Sequence, residues 1–302
     1  MSFVFGPVPS RRLGVSLGVD IVPRKYCTLD CIYCEVCKTD KLTVSRQDFY
    51  DTNEIIEDVK KIYSKIKENI DVVTITGSGE PTLNKSFDVI VKKLKTFVYH
   101  PIALLTNSTL FYDNKVRQQA MVFDIIVPSL DAADTKTFQM INKPAKEINF
   151  HNMINGLVDF SKSYRGKLFV EVLLIKGVND SLSHLTKLAD IISSLKYDVI
   201  QLNTAFRPTA YKNVQRLSDA ELLDVAFFFQ KRGLKVEPVK NFISKNIQDN
   251  DKEELFEKML HMRPLSETDI VELFGESFLK KVKDDNKFQF FTYQQETFFK
   301  KF

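Results

Sequence analysis

Short apolar runs alternate with longer amphipathic segments along the first 240 residues of this 302-residue chain. Residues 16–22 read as a strand. Residues 48–67 then place Ile55, Ile56, Val59, Ile62, Tyr63 and Ile66 three and four apart, the spacing of a helix with one buried face. The alternation continues with strands at 71–76, 101–106, 124–129, 168–175 and 199–203, and helices at 87–98, 113–121, 150–163, 181–195 and 218–232. Ser181 is placed to cap one helix, and Asp219 and Glu221 suit the positive end of another. A last short strand is expected at 235–239. About six strand–helix units predict an α/β fold of parallel strands joined by right-handed crossovers. An open doubly wound sheet and a full or partial barrel both satisfy this pattern, and periodicity does not choose between them.

In either closure a site gathers at the carboxyl ends of the strands. The polar and glycine-rich residues fall there: a cysteine loop after the first strand, Gly77-Ser78-Gly79-Glu80 after the second, then Thr106-Asn107, Ser129-Leu130-Asp131, Lys176-Gly177-Val178-Asn179 and Asn203-Thr204. Six separate segments thus point their reactive side chains to one end.

Beyond residue 240 the pattern changes. Residues 241–252 are polar and charged and read as a linker. Helices are expected at 253–261, 266–274 and 277–282, with a hairpin at 288–299. Ser266 and Asp269 occupy capping-box positions, Asp standing where Glu is usual. Three helices and a ribbon suggest a small winged-helix-like module. The expected organisation is an α/β unit at 1–240, a linker at 241–252 and the module at 253–302.

Composition adds bounds. Hydrophobic content is 44% and charged content 27%, values of an ordinary globular chain. A net charge of +4 permits a nucleic-acid partner without arguing for one. The first residues lack a basic segment followed by an apolar one, and no apolar run approaches the ~20 residues that span a bilayer. The expectation is a cytoplasmic protein with no membrane partner.

All four cysteines, Cys27, Cys31, Cys34 and Cys37, lie within eleven residues. A disulfide framework would spread them to close long loops, whereas clustered thiols in a reducing compartment hold metal. A zinc site usually takes two separated pairs, or Cys with His, to reach four ligands. The spacing C-x3-C-x2-C instead suits a 4Fe–4S cluster that three thiolates hold, leaving one iron open. Cys37 extends the series and could ligate, stay spare or pack. Capping the fourth iron would defeat an open site, so the metal ligands are expected to be Cys27, Cys31 and Cys34. With no cysteine elsewhere, the chain can build one cluster.

A C-x3-C-x-aromatic-C loop after the first strand of a (βα)-repeat chain resembles the radical S-adenosylmethionine (radical SAM) superfamily. The turn Gly77-Ser78-Gly79-Glu80-Pro81 is similar to that family's GGE-type segment. The stretch from Phe5-Gly6-Pro7 through Arg11-Arg12 to Asp20, the turn through Leu83, and Gln201–Pro208 resemble one subgroup, related to wyosine-base (tRNA) synthases and to molybdenum-cofactor cyclases. The resemblance runs over roughly residues 3–240. Wyosine-base synthases carry further metal-binding cysteines that this chain lacks, and the subgroup usually has Gly where Cys37 stands.

The resemblance implies a partial (βα)6 TIM-like barrel and two cofactors, one 4Fe–4S cluster and S-adenosylmethionine. It implies that Tyr33 lies near the adenine and that Gly79 and Glu80 contact the methionine amino group. Thr106, Asn107, Ser129 and Asp131 fall where the family contacts ribose and carboxylate, and Asn179 near the adenine. The activity implied is reductive cleavage of S-adenosylmethionine to a 5′-deoxyadenosyl radical, which abstracts hydrogen from a substrate that remains open. An external one-electron donor, flavodoxin- or ferredoxin-like, is required. Arg11, Arg12 and Arg207 are candidate contacts to an anionic substrate group. Two alternatives stand beside this reading. One is a tRNA-base-modifying enzyme; the other is an iron–sulfur regulator whose winged helix binds nucleic acid, with Lys280, Lys281, Lys283 and Lys287 as phosphate contacts.

Overall fold

Two antiparallel strands, β1 (Val4–Ser10) and β2 (Gly14–Asp20), open the chain. The computed structural model describes residues 2–10, 13–237, 252–262, 264–285, 287–293 and 296–301. Arg11, Arg12 and residues 241–251 of the expected linker lie outside the described residues. After β2 comes a long loop carrying the cysteines, its ends joined by a short parallel pair, β3 (Tyr26–Cys27) and β4 (Lys41–Leu42). Helix α1 (Thr52–Ile66) starts where the Asp51 side chain accepts from the backbone of Asn53 and Glu54, and it buries Ile55, Ile56, Val59 and Tyr63.

The repeat follows: β5 (Val72–Thr76), α2 (Phe87–Leu94), β6 (Ile102–Thr106), α3 (Asn114–Ala120), β7 (Ile125–Pro128), α4 (Thr135–Ile141), α5 (Phe150–Ser163), β8 (Lys167–Leu174), α6 (Leu182–Ser193), β9 (Val199–Thr204), α7 (Asp219–Lys231) and β10 (Val236–Glu237). The strands form one sheet in the order β1-β2-β5-β6-β7-β8-β9-β10. All pairings from β2 to β10 are parallel. The order ends at β1 and β10 without joining them, so the barrel is partial and open. Val73, Ile75, Ile102, Leu104, Ile126 and Val170 are buried in a core covered by helices, which is why these strands read as near-continuous apolar runs. Because the strands are parallel, Asp20, Thr76, Thr106, Pro128, Leu174 and Thr204 end on one side of the sheet.

Strand β1 is absent from the sequence-based expectation because Gly6, Pro7 and Pro9 break the strand pattern. It pairs with β2 alone, and its register shifts between Phe5 and Val8. An edge strand tolerates proline because one row of its N–H groups is not needed. Helix α4 is likewise unexpected: seven residues are too few to establish a period, and its start depends on Asp134 accepting from Thr137 N.

The C-terminal segment runs α8 (Lys252–Met262), β11 (Leu265–Ser266), α9 (Glu267–Phe274), α10 (Glu276–Asp284), β12 (Phe288–Tyr293) and β13 (Glu296–Lys301), with a three-stranded sheet in the order β11-β13-β12. Ser266 and Asp269 form the expected capping box. Phe256, Leu265, Ile270, Phe274 and Phe299 build a core separate from that of the barrel, with Val8 of β1 packed against it. Among the described residues no helix is long and apolar enough to cross a membrane.

Candidate active site

The cysteine loop is held on both flanks. On one, Thr43 N donates to Cys27 O at 2.9 Å and Lys41 N to Lys25 O at 3.0 Å. On the other, Ile32 N donates to Ile141 O, Asp30 N to Asn142 O and Ala145 N to Thr28 O, so the end of α4 clamps the loop. Each of the three expected ligands has a side-chain N–H donor at sulfur. Lys25 Nζ lies 3.2 Å from Cys34 Sγ, Asn142 Nδ2 3.4 Å from Cys31 Sγ and Asn107 Nδ2 3.5 Å from Cys27 Sγ. Among the described residues Cys37 has no such donor. Burial first, and the Glu80 carboxylate second, push the Cys27 thiol up to about 12, and burial pushes Cys31 well up. Thiolates there need a cationic partner, which iron supplies.

Gly79 and Glu80 pack directly on the start of this loop. A Cβ at Gly79 would sit 2.0 Å from Tyr26 O, so only glycine fits. Glu80 N donates to Tyr26 O at 2.9 Å, and Asp20 accepts from Ser78 N and Oγ, tying the turn to the end of β2. The Glu80 side chain is buried at the strand ends. Its Oε1 accepts from Thr82 N, Thr82 Oγ1 and Thr106 Oγ1, and its Oε2 from Asn107 N at 2.9 Å. Burial raises its pKa, against the pull of these donors. Oε1 is saturated, while Oε2 keeps acceptor capacity for one more donor. Thr106 therefore positions Glu80 instead of facing a ligand. Asn107 bridges Glu80 to the cysteine loop, its Nδ2 also reaching Thr28 Oγ1 at 2.9 Å.

Asp131 lies between Tyr33 and β8. Its Oδ2 accepts from Tyr33 OH and Asn142 Nδ2, its Oδ1 from Leu173 N at 2.8 Å. Burial raises its carboxyl to about 6. Ser129 Oγ is 3.5 Å from Glu171 Oε2, and Asn203 Nδ2 donates to Glu171 Oε1 at 2.9 Å.

Two expected contacts find other partners. Asn179 is 0% exposed. Its Nδ2 donates to Asp131 O and Leu173 O and its Oδ1 accepts from Ile175 N, so its buried side chain braces the turn after β8. Arg207 does not line an anion pocket either. Its Nη2 pairs with Asp269 and its Nη1 with Glu35 Oε2 at 3.6 Å, carboxylates that already compensate its charge. Lys25, Asn142 and Glu171 were not singled out from sequence. The last does stand in a strand, where a lone buried Glu is a signal; the other two sit in loops or at a helix end, where polar residues are ordinary.

The donor set fits a cubane better than a single ion. Among the described residues no three His, Cys, Asp or Glu side chains converge as one ion requires. A cubane takes each thiolate on a different iron, so its ligands stay apart.

The family model described as the Radical SAM superfamily matches residues 21–189, more than half of the chain. The chain belongs to the radical SAM superfamily. It is an enzyme of that superfamily, whose cofactors are a 4Fe–4S cluster and S-adenosylmethionine. Among its relatives is a UPF0026 protein of Helicobacter pylori, 40% identical over 233 residues, 76% of this chain and 74% of that one. A Brachyspira hyodysenteriae protein called GTPase Obg is 38% identical over 227 residues, 75% of this chain. The match covers 33% of that protein. A match over a third of that protein does not carry its GTPase name to this radical SAM chain. A solved structure of TYW1 with a lysine–pyruvate adduct bound aligns at TM-score 0.55 and 19% identity, covering 72% of this chain and 74% of that one, a likeness of fold.

Proposed function

We propose that this chain holds its cluster through Cys27, Cys31 and Cys34, cleaves S-adenosylmethionine reductively there and abstracts hydrogen from a substrate. The observation that carries this reading is that Lys25, Asn142 and Asn107 bring N–H donors to the sulfurs of Cys34, Cys31 and Cys27, while among the described residues none reaches Cys37. Cluster and S-adenosylmethionine together supply one-electron cleavage of a C–S bond, giving methionine and a 5′-deoxyadenosyl radical. Glu80 Oε2 would accept a charge-assisted hydrogen bond from the methionine ammonium, with Thr82, Thr106 and Asn107 fixing the carboxylate. Gly79 lets the turn approach Tyr26 closely enough for this. Asp131 fixes Tyr33, which would stand beside the bound cofactor, and Ser129, Glu171 and Asn203 lie at the strand ends. An external one-electron donor, flavodoxin- or ferredoxin-like, delivers the electron.

The C-terminal segment follows the helix, strand, helix, helix, strand, strand order of a winged helix, and we assign residues 252–301 to such a unit. Two of the four lysines named as phosphate contacts have acidic partners. Lys281 pairs with Glu253, and Lys283 with Glu267 at 2.7 Å. Tyr293 OH donates to Val214 O, joining the unit to the barrel.

The test is anaerobic reconstitution with iron and sulfide, then reduction with S-adenosylmethionine present. 5′-Deoxyadenosine formation is expected; a stable cluster with no cleavage would defeat the proposal. Adding tRNA, peptides or nucleotides in turn identifies the substrate class by which of them accelerates that formation.

A further inference from the structure

Lys25 is 3% exposed, although it follows Pro23-Arg24 in a loop. Lysine is almost never fully buried without a partner, because its charge loses water on burial. Its backbone is in the left-handed region at φ 60, a cost for a residue with a side chain. Two hydrogen bonds pin it there: Lys25 N to Ser78 O at 2.9 Å and Lys41 N to Lys25 O at 3.0 Å. Ser78 belongs to the Gly79–Glu80 turn, and Lys41 lies at the far end of the cysteine loop. The strained backbone thus aims the side chain inward, where Nζ meets Cys34 Sγ at 3.2 Å.

An ammonium has three donors, and among the described residues the only partner of this one is a sulfur. Cys34 is its hydrogen-bond partner, and Cys27 stands two residues along the chain. Asp30 is within electrostatic range, but its oxygens accept from Thr39 N and Tyr211 OH. A buried ammonium that forms no ion pair with a carboxylate among the described residues needs another anion. A cubane on three thiolates carries net negative charge, and taking up one electron deepens it.

We infer that Lys25 is the built-in counter-ion of the cluster and holds its reduction potential up, so that an ordinary cellular one-electron donor can load it. The inference rests on the cluster assignment proposed above. A fixed positive charge and an N–H···S hydrogen bond both favour the more negative, reduced form. Lys25 is a positioning and tuning residue; it moves no atom of the substrate.

The experiment is a redox titration followed by electron paramagnetic resonance, without S-adenosylmethionine, on reconstituted wild type, Lys25→Met and Lys25→Arg. Iron and sulfide per chain are measured on the same samples. Lys25→Met is expected to keep its cluster and shift the midpoint to more negative potential, with Lys25→Arg restoring most of the shift. Equal midpoints in wild type and Lys25→Met overturn the inference. An unchanged midpoint with weaker S-adenosylmethionine binding also overturns it, and makes Lys25 a contact to the cofactor. Should Lys25→Met lose the cluster, Lys25→Arg is compared with Lys25→Gln. Retention by Arg alone supports the counter-ion, and equal retention refutes it. Failure of the loaded wild type to cleave S-adenosylmethionine would instead count against the proposed function, since the potentials do not depend on that step.

Discussion

Arg207 Nη2 lies 3.1 and 3.2 Å from the two carboxylate oxygens of Asp269, while Arg207 Nη1 reaches Glu35 between Cys34 and Cys37. One guanidinium therefore ties helix α9 to the loop after β9 and to the cysteine loop. The Arg207 side chain is 12% exposed, so its charge depends on these partners. Asp269→Ala is expected to cost about 1.5–3 kcal/mol, the loss of hydrogen bonds to a charged group while Glu35 stays paired, plus its share of the α9 capping box. Denaturant unfolding measures it. Arg207→Met combined with Asp269→Leu should cost less than the two single changes added together; strict additivity would show that the pair does not couple.

Gly79→Ala and Gly233→Ala separate space from backbone conformation. At Gly79 the new Cβ meets a rigid carbonyl at 2.0 Å, one residue before Cys27. At Gly233 φ is +79 but nothing lies within 4 Å. Gly233→Ala should cost about 1–2 kcal/mol and leave iron binding intact. Gly79→Ala should displace residue 26, lower the melting temperature further and reduce iron per chain. Comparable iron content in both variants would argue against a tight turn at the cluster.

Cysteine replacements test the ligand set. Cys31→Ala removes a thiolate that Asn142 supports and is expected to abolish the cluster. Cys37→Ala should retain it, with wild-type iron, sulfide and visible absorption. Loss of the cluster in Cys37→Ala would place a fourth thiolate on the open iron.

Asp131 predicts a pH dependence. Burial raises its carboxyl from the ordinary 3.8 to about 6 in the folded protein. Between those values the folded state keeps a proton that the unfolded chain has released, so stability falls as pH rises through the window. A shift of this size corresponds to about 3 kcal/mol across the window. Asp131→Asn does not titrate. Its stability relative to wild type should therefore improve from pH 4 to pH 7, whatever constant offset its altered hydrogen bonds with Tyr33 and Leu173 introduce. Parallel stability curves for the two proteins would contradict the raised value.

The α/β class and the family were legible in the residues alone, because each depends on neighbours in sequence. Helix faces follow a 3.6-residue period, and the three cysteines occupy one loop of eight residues, Cys27 to Cys34. Parallel βα alternation then brings every strand end to one side without any knowledge of packing. Tertiary structure decided what those strand ends do. Asn142 reaches Cys31 across 111 residues and Asp269 reaches Arg207 across 62, separations that no local pattern encodes. Packing turned Arg207 from an expected substrate contact into an internal ion pair, and Asn179 into a brace for backbone groups. It also turned Lys25 inward. A lysine that follows arginine in a loop reads as solvated surface, and only the fold around it shows that its side chain is buried and faces sulfur.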